Sequence, residues 1–453
     1  MAWVWEGIKN KDQLLKAGPK HLRSDALEII EHAIRSSNPY KAVKDFVCLE
    51  SGSLRIGKKE YKVEKLDNIY VIGAGKATYS IALALEEILG DNLSEGLVVL
   101  KKGGNKNLSK IKTIVAAHPV PDEYSLKGAL ALKDIARRAG ENDLVITAVT
   151  GGSSSLAVIP AGEITLNDKV LVNEILLESG ASIREINAVR KHISGIKGGY
   201  LGLEIFPAEI VNITVSDVVG DPVDYITDLT VPDTSTYRDA WETMEKYGLW
   251  DVMPKRVCDH LSKGEEIETP KKYDGNFSTH ICVKSANAAE AAVQKSQLLG
   301  YQTHLLTTCL EGESQEQAES FVTAAQDWIK GQKDDVPCAV IASGETAVSM
   351  NSETGKGGPN QEFSLKAAVA LSGLKDVVVA SVGTDGTDGP TNAAGGLVDG
   401  LTTQRARTED IDPEVYLDKH NAFELLNRTG DLLVTGPTET NINDLIVFLK
   451  KTD

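Results

Sequence analysis

Aromatic side chains are scarce in this chain, where phenylalanine, tyrosine and tryptophan make up 5% of the 453 residues. Such a composition disfavours nucleic-acid binding by base stacking, which needs aromatic platforms. Positive charge is also in deficit, with 48 lysines and arginines against 65 aspartates and glutamates, a net charge of −17. An excess of negative charge opposes nonspecific binding to nucleic acid and to anionic membranes. We therefore predict neither kind of partner.

Cysteine is rare and shows no C-x-x-C spacing, since the five residues are Cys48, Cys258, Cys282, Cys309 and Cys338. An odd, scattered set is typical of reduced thiols, so we predict a cytoplasmic protein. Long apolar runs are missing as well. The longest notable uncharged stretch, 144–162, has Gly-Gly-Ser-Ser-Ser in its middle, which favours a buried strand and a tight loop over a membrane helix. Residues 1–18 are charged early and lack the apolar centre of a signal peptide.

Short apolar runs alternate with helical patterns along most of the chain, which predicts an α/β fold with a largely parallel sheet. An amphipathic helix is expected over His21–Ser37. Residues 262–279 contain few apolar side chains, and we place a domain boundary there, giving domains 1–265 and 276–453. The predicted strands are Ile69–Ile72, Gly96–Leu100, Leu144–Val149, Glu209–Val215, Ile281–Val283, Thr303–Thr307, Ala339–Ile341 and Val377–Ser381.

The loop after the first of these strands reads Gly73-Ala74-Gly75-Lys76-Ala77-Thr78. Glycines let a ligand approach the backbone, a helix start favours anions, and Lys76 adds a full positive charge. Neither common nucleotide motif fits. A P-loop needs Ser or Thr after its lysine, and a dinucleotide fingerprint needs a third glycine where Thr78 stands. Nicotinamide binding is therefore disfavoured, and a turn built for packing alone is the alternative.

Two further loops of the first half carry polar side chains at strand ends. The first joins Gly152 to successive hydroxyls, Ser153 and Ser154, which suits a phosphate or carboxylate unless the loop is merely flexible. The second places Asp217 directly after a strand. A carboxylate there can act as a general base or hold Mg²⁺, or can cap its own backbone in a turn.

Three loops of the second half also have candidate ligands. Glu345 lies in a Ser-Gly-Glu-Thr segment, and Asn360 and Glu362 follow a run of glycines. For Glu362, a charge at a helix N-terminus explains the position as well as a catalytic role does. Asp385 and Asp388 lie in GTDGTDGPT and suit Mg²⁺ or a positioned phosphate, whereas a calcium loop would need a terminal glutamate that is missing.

One helix carries a cationic stripe. The capping box Ser182–Glu185 begins it, and we expect it to run to Gly198-Gly199. Arg190 and Lys197 would then lie roughly 10 Å apart on one side, where they could hold a carboxylate or phosphates. A solvated helix face is the alternative. The chain has no G-x-S-x-G elbow, so a hydrolase triad is poorly supported.

Eight segments, in the order in which they occur, resemble the class II glycerate 2-kinases, whose C-terminal domain is called MOFRL. These segments are VIGAGKA, HPVPDE, INAVRKHISGIKGG, TVSDVVGDP, TVPDTST, SGET, GKGGPNQEFSL and GTDGTDGPTNAAGGLVDG. The resemblance implies transfer of the γ-phosphoryl group of ATP to the 2-hydroxyl of D-glycerate, with Mg²⁺. It also implies a Rossmann-like N-terminal domain, a smaller α/β C-terminal domain and an active site in the cleft between them.

By position in those motifs, Lys76 and Asp217 match family residues. Lys76 would stabilise charge on the transferring phosphoryl group, and Asp217 would orient or deprotonate the attacking hydroxyl, or hold the metal. The residues that would bind substrate or phosphate are Gly73, Gly75, Gly152, Ser153, Ser154, Arg190, Lys197, Glu345, Asn360 and Glu362. The metal would be bound by Asp385 and Asp388.

Three positions depart from the family pattern, and they leave the acceptor open. Thr227-Asp228-Leu229 replaces Ser-Gly-Pro and adds a carboxylate, while Gly195 and Pro359 stand where relatives often carry arginine. The alternatives are a kinase of another small sugar acid such as a tetronate, a hydroxypyruvate reductase and a non-catalytic metabolite-binding protein. A small hydroxy acid and ATP are the expected partners, and a homodimer is compatible with the sequence.

Overall fold

A computed structural model describes residues 5–103, 107–216, 218, 220–333, 336–349, 355–440 and 442–451. The chain divides into two compact units. We call Pro39–Val283 the N-terminal unit, and Met1–Asn38 together with Lys284–Asp453 the C-terminal unit. The first two α-helices, α1 (Lys11–Leu14) and α2 (Lys20–Ser36), belong to the C-terminal unit. The predicted helix over His21–Ser37 is thus confirmed as α2.

The N-terminal unit alternates strands and helices. Its strands are β1 (Val47–Glu50), β2 (Ser53–Ile56), β3 (Lys59–Lys62), β4 (Ile69–Ala74), β5 (Glu95–Lys101), β6 (Ile111–Ala116), β7 (Leu144–Val149), β8 (Glu209–Val215) and β9 (Phe277–Val283). Its α-helices are α3 (Pro39–Phe46), α4 (Thr78–Leu89), α5 (Glu123–Arg138), α6 (Ser153–Leu156), α7 (Leu166–Glu178), α8 (Ile183–His192), α9 (Tyr200–Ile205), α10 (Val223–Ile226), α11 (Tyr237–Lys246) and α12 (Lys255–Leu261).

A six-stranded sheet forms the centre of the N-terminal unit, in the order β6-β5-β4-β7-β8-β9. All neighbouring strands in it are parallel, which confirms the expected parallel α/β architecture. Every residue of β4 and β7 is buried, as expected for central strands covered on both faces. Strands β1, β2 and β3 form a separate antiparallel sheet that the sequence reasoning did not anticipate.

The C-terminal unit continues with its own strands and helices. The strands are β10 (Gln302–Glu313), β11 (Cys338–Ala347), β12 (Val377–Gly383), β13 (Gly395–Asp399), β14 (Leu432–Leu433) and β15 (Asp444–Lys450). The α-helices are α13 (Asn287–Leu298), α14 (Ser314–Lys330), α15 (Pro359–Ala370), α16 (Thr402–Thr408), α17 (Pro413–Asp418) and α18 (Ala422–Thr429).

The sheet of the C-terminal unit is mixed, in the order β10-β11-β15-β12-β13-β14. Only β10 and β11 pair in parallel, and the other neighbours are antiparallel. Strand β15, close to the C-terminus, lies between β11 and β12 and was not predicted. Besides the small antiparallel sheet of β1, β2 and β3, the described chain therefore combines one parallel and one mixed α/β sheet.

The structure groups the first 38 residues differently from the predicted division, which placed them with residues up to 265. Arg23 of α2 is fully buried and pairs with Asp399 and Asp431, both of the C-terminal unit. Tyr301 also donates a hydrogen bond to Asp25, at 2.6 Å. Because a buried guanidinium requires these carboxylates, α2 packs with the C-terminal sheet. The other boundary lies at Val283/Lys284, after β9, and not between 265 and 276.

The structure bears on two features predicted for the chain, its lack of membrane helices and the reduced state of its cysteines. In the part of the chain that the structure describes, no helix is both long enough and apolar enough to span a membrane. All five cysteines are free thiols. The thiols agree with the scattered spacing of the cysteines along the sequence.

Candidate functional site

The carboxyl ends of β4 and β7 carry two loops that are bonded to each other. The amide of Lys76 donates to Gly151 O at 2.9 Å, and the amide of Ala77 donates to Thr150 Oγ1 at 3.2 Å. Gly75 has φ +146°, and a Cβ atom there would lie 2.1 Å from Thr150 Oγ1. Only glycine fits so close an approach. Gly73 lies two residues earlier, within β4 and opposite Ala148.

Gly152 brings Lys76 next to a third segment of the unit. A Cβ atom on Gly152, whose φ is +83°, would lie 3.1 Å from both Lys76 Cγ and His118 Nε2. The side chains of Lys76 and His118 therefore both lie beside this glycine. Lys76 is half-buried, so its ammonium group stays within reach of solvent or a ligand.

The serines after Gly152 form the single-turn helix α6. The amides of Ser153 and Ser155 donate within the turn, to Thr150 O and Gly152 O. They are thus already satisfied and do not form the open anion cradle that the sequence suggests. Ser154 is exposed, and its side chain faces a neighbouring cavity.

A cavity of about 250 Å³ lies beside this loop. Its polar lining includes His118, Ser154, Lys169, Asn173, Arg190 and Lys197. The structure thus brings together three predicted binding residues from separate segments. The apolar part of the wall includes Val158, Val172 and Ile193.

The predicted length of the Arg190 helix is wrong. Helix α8 ends at His192, and the chain turns before Gly198-Gly199. The hydroxyl of Ser194 accepts hydrogen bonds from the amides of Ile196 and Lys197, at 3.3 and 3.1 Å. Such a side-chain acceptor competes with helical backbone bonding and favours the turn. The turn still directs Lys197 into the same cavity as Arg190.

The charged groups of this cavity are only partly paired. Lys197, 5% exposed, forms an ion pair with Asp228, 4% exposed. Arg190 donates to the amide oxygen of Asn173, and its Nε atom is buried without a hydrogen-bond partner among the described residues. Burial lowers the pKa of Lys197, although Asp228 opposes that effect. The cavity therefore carries net positive charge and suits an anion.

Three of its polar residues were missed by the sequence reasoning, namely His118 and the pair Lys169 and Asn173. Lys169 and Asn173 lie on α7, where they are four residues apart and share one helix face. The sequence shows the start of α7 through the Thr165–Asp168 capping box, which the structure contains. Nothing in the sequence says which face of α7 meets Arg190, because that depends on packing against α8.

Candidate residues of the C-terminal unit surround the start of α15. Asp388 accepts hydrogen bonds from the amides of Asn360 and Gln361, at 3.0 and 2.9 Å, and from Gln361 Nε2 at 2.8 Å. Both of its oxygens are thereby engaged in capping the helix, whose first residue is Pro359. Burial raises the pKa of the Asp388 carboxyl to about 6.

Asp385 and Glu362 have different surroundings. Asp385 is half-buried and accepts from the amide and the hydroxyl of Thr387, at 2.9 and 3.0 Å. Glu362 is buried and binds His420 Nδ1 at 2.6 Å, and both line a cavity of about 200 Å³. Glu345 lies exposed on β11, opposite Glu311 of β10. Asp217 lies outside the described residues, so its role stays a prediction.

Asp388→Asn is expected to destabilise the protein by about 1–3 kcal/mol, because the new amide group would face amide donors and leave at least one unsatisfied. Guanidinium denaturation at pH 7 in EDTA measures the loss, with Asp385→Asn as the control. A variant that keeps wild-type stability in EDTA but loses Mg²⁺ affinity would show that Asp388 is a metal ligand and not a cap.

The raised pKa of Asp388 adds a pH dependence to that measurement. The folded protein holds this proton more tightly than the unfolded chain does, so the contribution of Asp388 to stability declines as pH rises from about 4 to 6. The substitution to asparagine should remove this slope.

Known proteins match this chain over almost its whole length. Residues 25–262 match the family described as a domain of unknown function, DUF4147, and residues 338–444 match the MOFRL family. A glycerate 2-kinase of Pyrococcus horikoshii is 40% identical over 433 residues, which cover 94% of this chain and 97% of that protein. The chain belongs to the glycerate kinase family.

One further relative has a different functional name, and another has a solved crystal structure. A putative hydroxypyruvate reductase of Agrobacterium vitis is 38% identical, over 84% of this chain and 86% of that protein. The crystal structure of a glycerate kinase from Thermotoga maritima has a TM-score of 0.82 and 35% identity, covering 95% of this chain and 100% of that one.

The structure shows the surroundings of the three positions at which this member of the glycerate kinase family departs from the family motifs. Asp228 neutralises Lys197 in the N-terminal unit. The amide of Gly195 donates to Ile159 O at 2.8 Å, and a Cβ atom at Gly195 would lie 3.0 Å from Ile159 Cγ2. Pro359 occupies the first turn of α15, where a missing N–H has no effect. Asp228 thus alters the charge of the cavity directly.

Proposed function

We propose that this chain is an ATP-dependent glycerate 2-kinase, which transfers the γ-phosphoryl group of ATP to the 2-hydroxyl of D-glycerate. The observation that carries the proposal is the 40% identity to a glycerate 2-kinase over 94% of the chain. The structural match to a glycerate kinase over 95% of the chain supports it. A homodimer stays a prediction.

The cavity of the N-terminal unit supports a small anionic acceptor. Its volume of about 250 Å³ is below the roughly 300–1,000 Å³ typical of pockets for drug-sized ligands. Arg190 and Lys197 supply positive charge for an anion, and the planar guanidinium of Arg190 can bind a carboxylate through two hydrogen bonds. Ser154 and Asn173 add polar groups that suit the hydroxyls of a small hydroxy acid.

In this proposal, Lys76 stabilises the negative charge of the transferring phosphoryl group. Its position supports the role, since Lys76 lies beside Gly152 together with His118, and His118 lines the cavity. A preorganised cation near the developing charge acts mainly by electrostatic stabilisation. Asp217 would orient or deprotonate the 2-hydroxyl, a role that rests on the motif alone.

The donor set fits a protein-built metal site poorly. Among the described residues, no three His, Cys, Asp or Glu side chains are grouped as metal ligands would be. Asp388 has both oxygens engaged with α15, which leaves the half-buried Asp385 as the more accessible carboxylate of that predicted pair. Mg²⁺ often takes only one or two carboxylates in addition to substrate phosphates. Mg²⁺ bound with the phosphates of ATP therefore stays part of the proposal.

A coupled ADP-release assay tests the proposed function. We expect ATP-dependent ADP release with D-glycerate that exceeds release with L-glycerate and with a tetronate by at least about tenfold. A tetronate preferred over D-glycerate would change the acceptor but keep the reaction class. No ADP release with any small hydroxy acid would contradict the proposal.

The same preparation should be assayed for NADH oxidation with hydroxypyruvate, because one relative carries the name of a putative hydroxypyruvate reductase. We expect no turnover. Thr78 stands where a dinucleotide fingerprint needs its third glycine, and its buried hydroxyl donates to Ala148 O at 2.8 Å. NADH turnover without ADP release would replace the kinase by a reductase.

A further inference from the structure

Lys169, which is half-buried, differs from Lys191 and Lys197, the buried lysines of the N-terminal unit among the described residues, in lacking a carboxylate partner. Lys197 pairs with Asp228, and Lys191 pairs with Asp233 at 2.8 Å. Lys169 instead donates to two main-chain carbonyls, Arg190 O at 3.2 Å and Ile193 O at 3.4 Å. Among the described residues it forms no ion pair, although it lines the cationic cavity.

The charges around that cavity do not balance. Three cationic side chains, Lys169, Arg190 and Lys197, line its wall, and the single carboxylate paired with any of them is Asp228 among the described residues. The buried Nε of Arg190 also lacks an acceptor there. An excess of cations over carboxylates and a buried donor without an acceptor are both unfavourable, so an anion in the cavity would satisfy both.

We propose that Lys169 is a specificity-determining residue that binds the carboxylate of the acceptor acid, together with Arg190, and that it takes up a proton as the acid binds. The proposal rests on the proposed function for the identity of the acid. It assigns the carboxylate to the α7–α8 side of the cavity, away from the Asp228–Lys197 pair. The ligand class is a small carboxylate with neighbouring hydroxyls.

The proton uptake follows from the electrostatics of the free cavity. Burial, with the nearby Lys197 and Arg190 charges, lowers the pKa of Lys169 to about 7, while Asp228 opposes the shift. His118 on the cavity wall and His260, whose own pKa is lowered by burial, are the other titratable groups near it. A bound carboxylate favours the charged lysine, so the bound complex holds more protons than the free protein near neutral pH.

The affinity of the cavity for the acid should fall as pH rises above 7. Below pH 7 Lys169 is already charged, and binding needs no proton. Above pH 7 the free lysine is neutral, and each complex must take up a proton that becomes scarcer as pH rises. The dissociation constant for D-glycerate should therefore increase on the order of tenfold between pH 6.5 and 8.5.

The alternative is that Lys169 only caps the C-terminal end of α8, since its two acceptors are carbonyls of that end. Lys133 offers a matched control. It donates to the carbonyl of Gly195 at 3.2 Å and pairs with Glu204, but it does not line the cavity. Removing either lysine perturbs a backbone contact, and only Lys169 should affect binding of the acid.

Titration calorimetry with D-glycerate, in two buffers of different ionisation enthalpy at pH 7.5, tests the proposal on the full chain. Wild-type protein should take up a fraction of a proton per ligand. Lys169→Met should weaken binding at least about tenfold and abolish that uptake. Lys169→Arg, which retains a permanent charge, should bind without uptake and lose the pH dependence. Lys133→Met should behave as wild type.

Each outcome decides one of the two proposals. Unchanged affinity in Lys169→Met, or no proton uptake by the wild type, would overturn the role of Lys169 even if D-glycerate is phosphorylated. If Lys169→Met does not fold, Lys169→Arg still decides, because proton uptake that persists in it cannot come from this lysine. Failure of ADP release alone overturns the kinase, since the calorimetry requires no turnover.

Discussion

Lys76→Ala is expected to lower kcat for ADP release with D-glycerate by about two to three orders of magnitude, the usual effect of losing one preorganised electrostatic contact to the transition state. The side chain follows β4 and touches Gly152, next to the cavity proposed for the acceptor. The amide of residue 76 should still donate to Gly151 O, so the loop should keep its conformation. Steady-state kinetics with saturating ATP and D-glycerate measure the effect.

The matched control is Lys112→Ala in the same unit. Lys112 lies on β6, pairs with Glu95 and is exposed. It should retain wild-type kcat and KM. A Lys76→Ala enzyme with unchanged kcat and a KM raised tenfold would place Lys76 in ground-state binding, because transition-state contacts change kcat. Wild-type values for both constants would remove Lys76 from the site.

The central strands could be predicted from the sequence because they are almost entirely apolar and lead into glycine-containing loops. Strands β4 and β7 follow that pattern and are buried at every residue. Strand β15 has a similar apolar run, Leu445–Leu449, but its place between β11 and β12 depends on long-range antiparallel pairing. The short meander β1–β3 has no long apolar run, and its outer strand β3 is mostly exposed. Local pattern alone therefore underestimated the number of strands.

The candidate site was predictable where loops follow strands, and unpredictable where helices pack. Arg190 was found from its spacing, although the helix that carries it is shorter than expected. Lys169 was not found, because a lysine on a helix is usually solvated and only tertiary packing turns it toward Arg190. Asp388 was found as a ligand candidate, yet its oxygens cap α15, a distinction that needs the loop and the helix in contact.

Residues 1–38 present the same difficulty at the level of domains. An amphipathic pattern predicts α2 correctly, but not the sheet on which it packs. The buried charge of Arg23 is the physical clue, since it requires carboxylates that are distant in sequence, Asp399 and Asp431. Arg405 completes the network by donating to both aspartates.

Arg23→Met is therefore expected to destabilise the C-terminal unit by about 3–5 kcal/mol, because it leaves two buried carboxylates with one guanidinium. Against the effect of burial, the Arg23 and Arg405 charges hold the pKa of Asp399 below its usual range. Guanidinium denaturation followed by circular dichroism at pH 7 measures the loss. Arg35→Met is the control, an exposed residue of the same helix that contacts Trp5.

The pH dependence separates this ion-pair network from simple packing of α2. Since the folded pKa of Asp399 is depressed, its contribution to stability is present above the unfolded pKa of about 4 and is lost as pH falls through the folded value. The difference between wild type and Arg23→Met should shrink at such low pH. A loss of equal size at pH 7 and at pH 3 would instead mean that Arg23 acts through its apolar stem. A loss below about 1 kcal/mol at pH 7 would show that residues 1–38 are not held to the C-terminal unit by this charge.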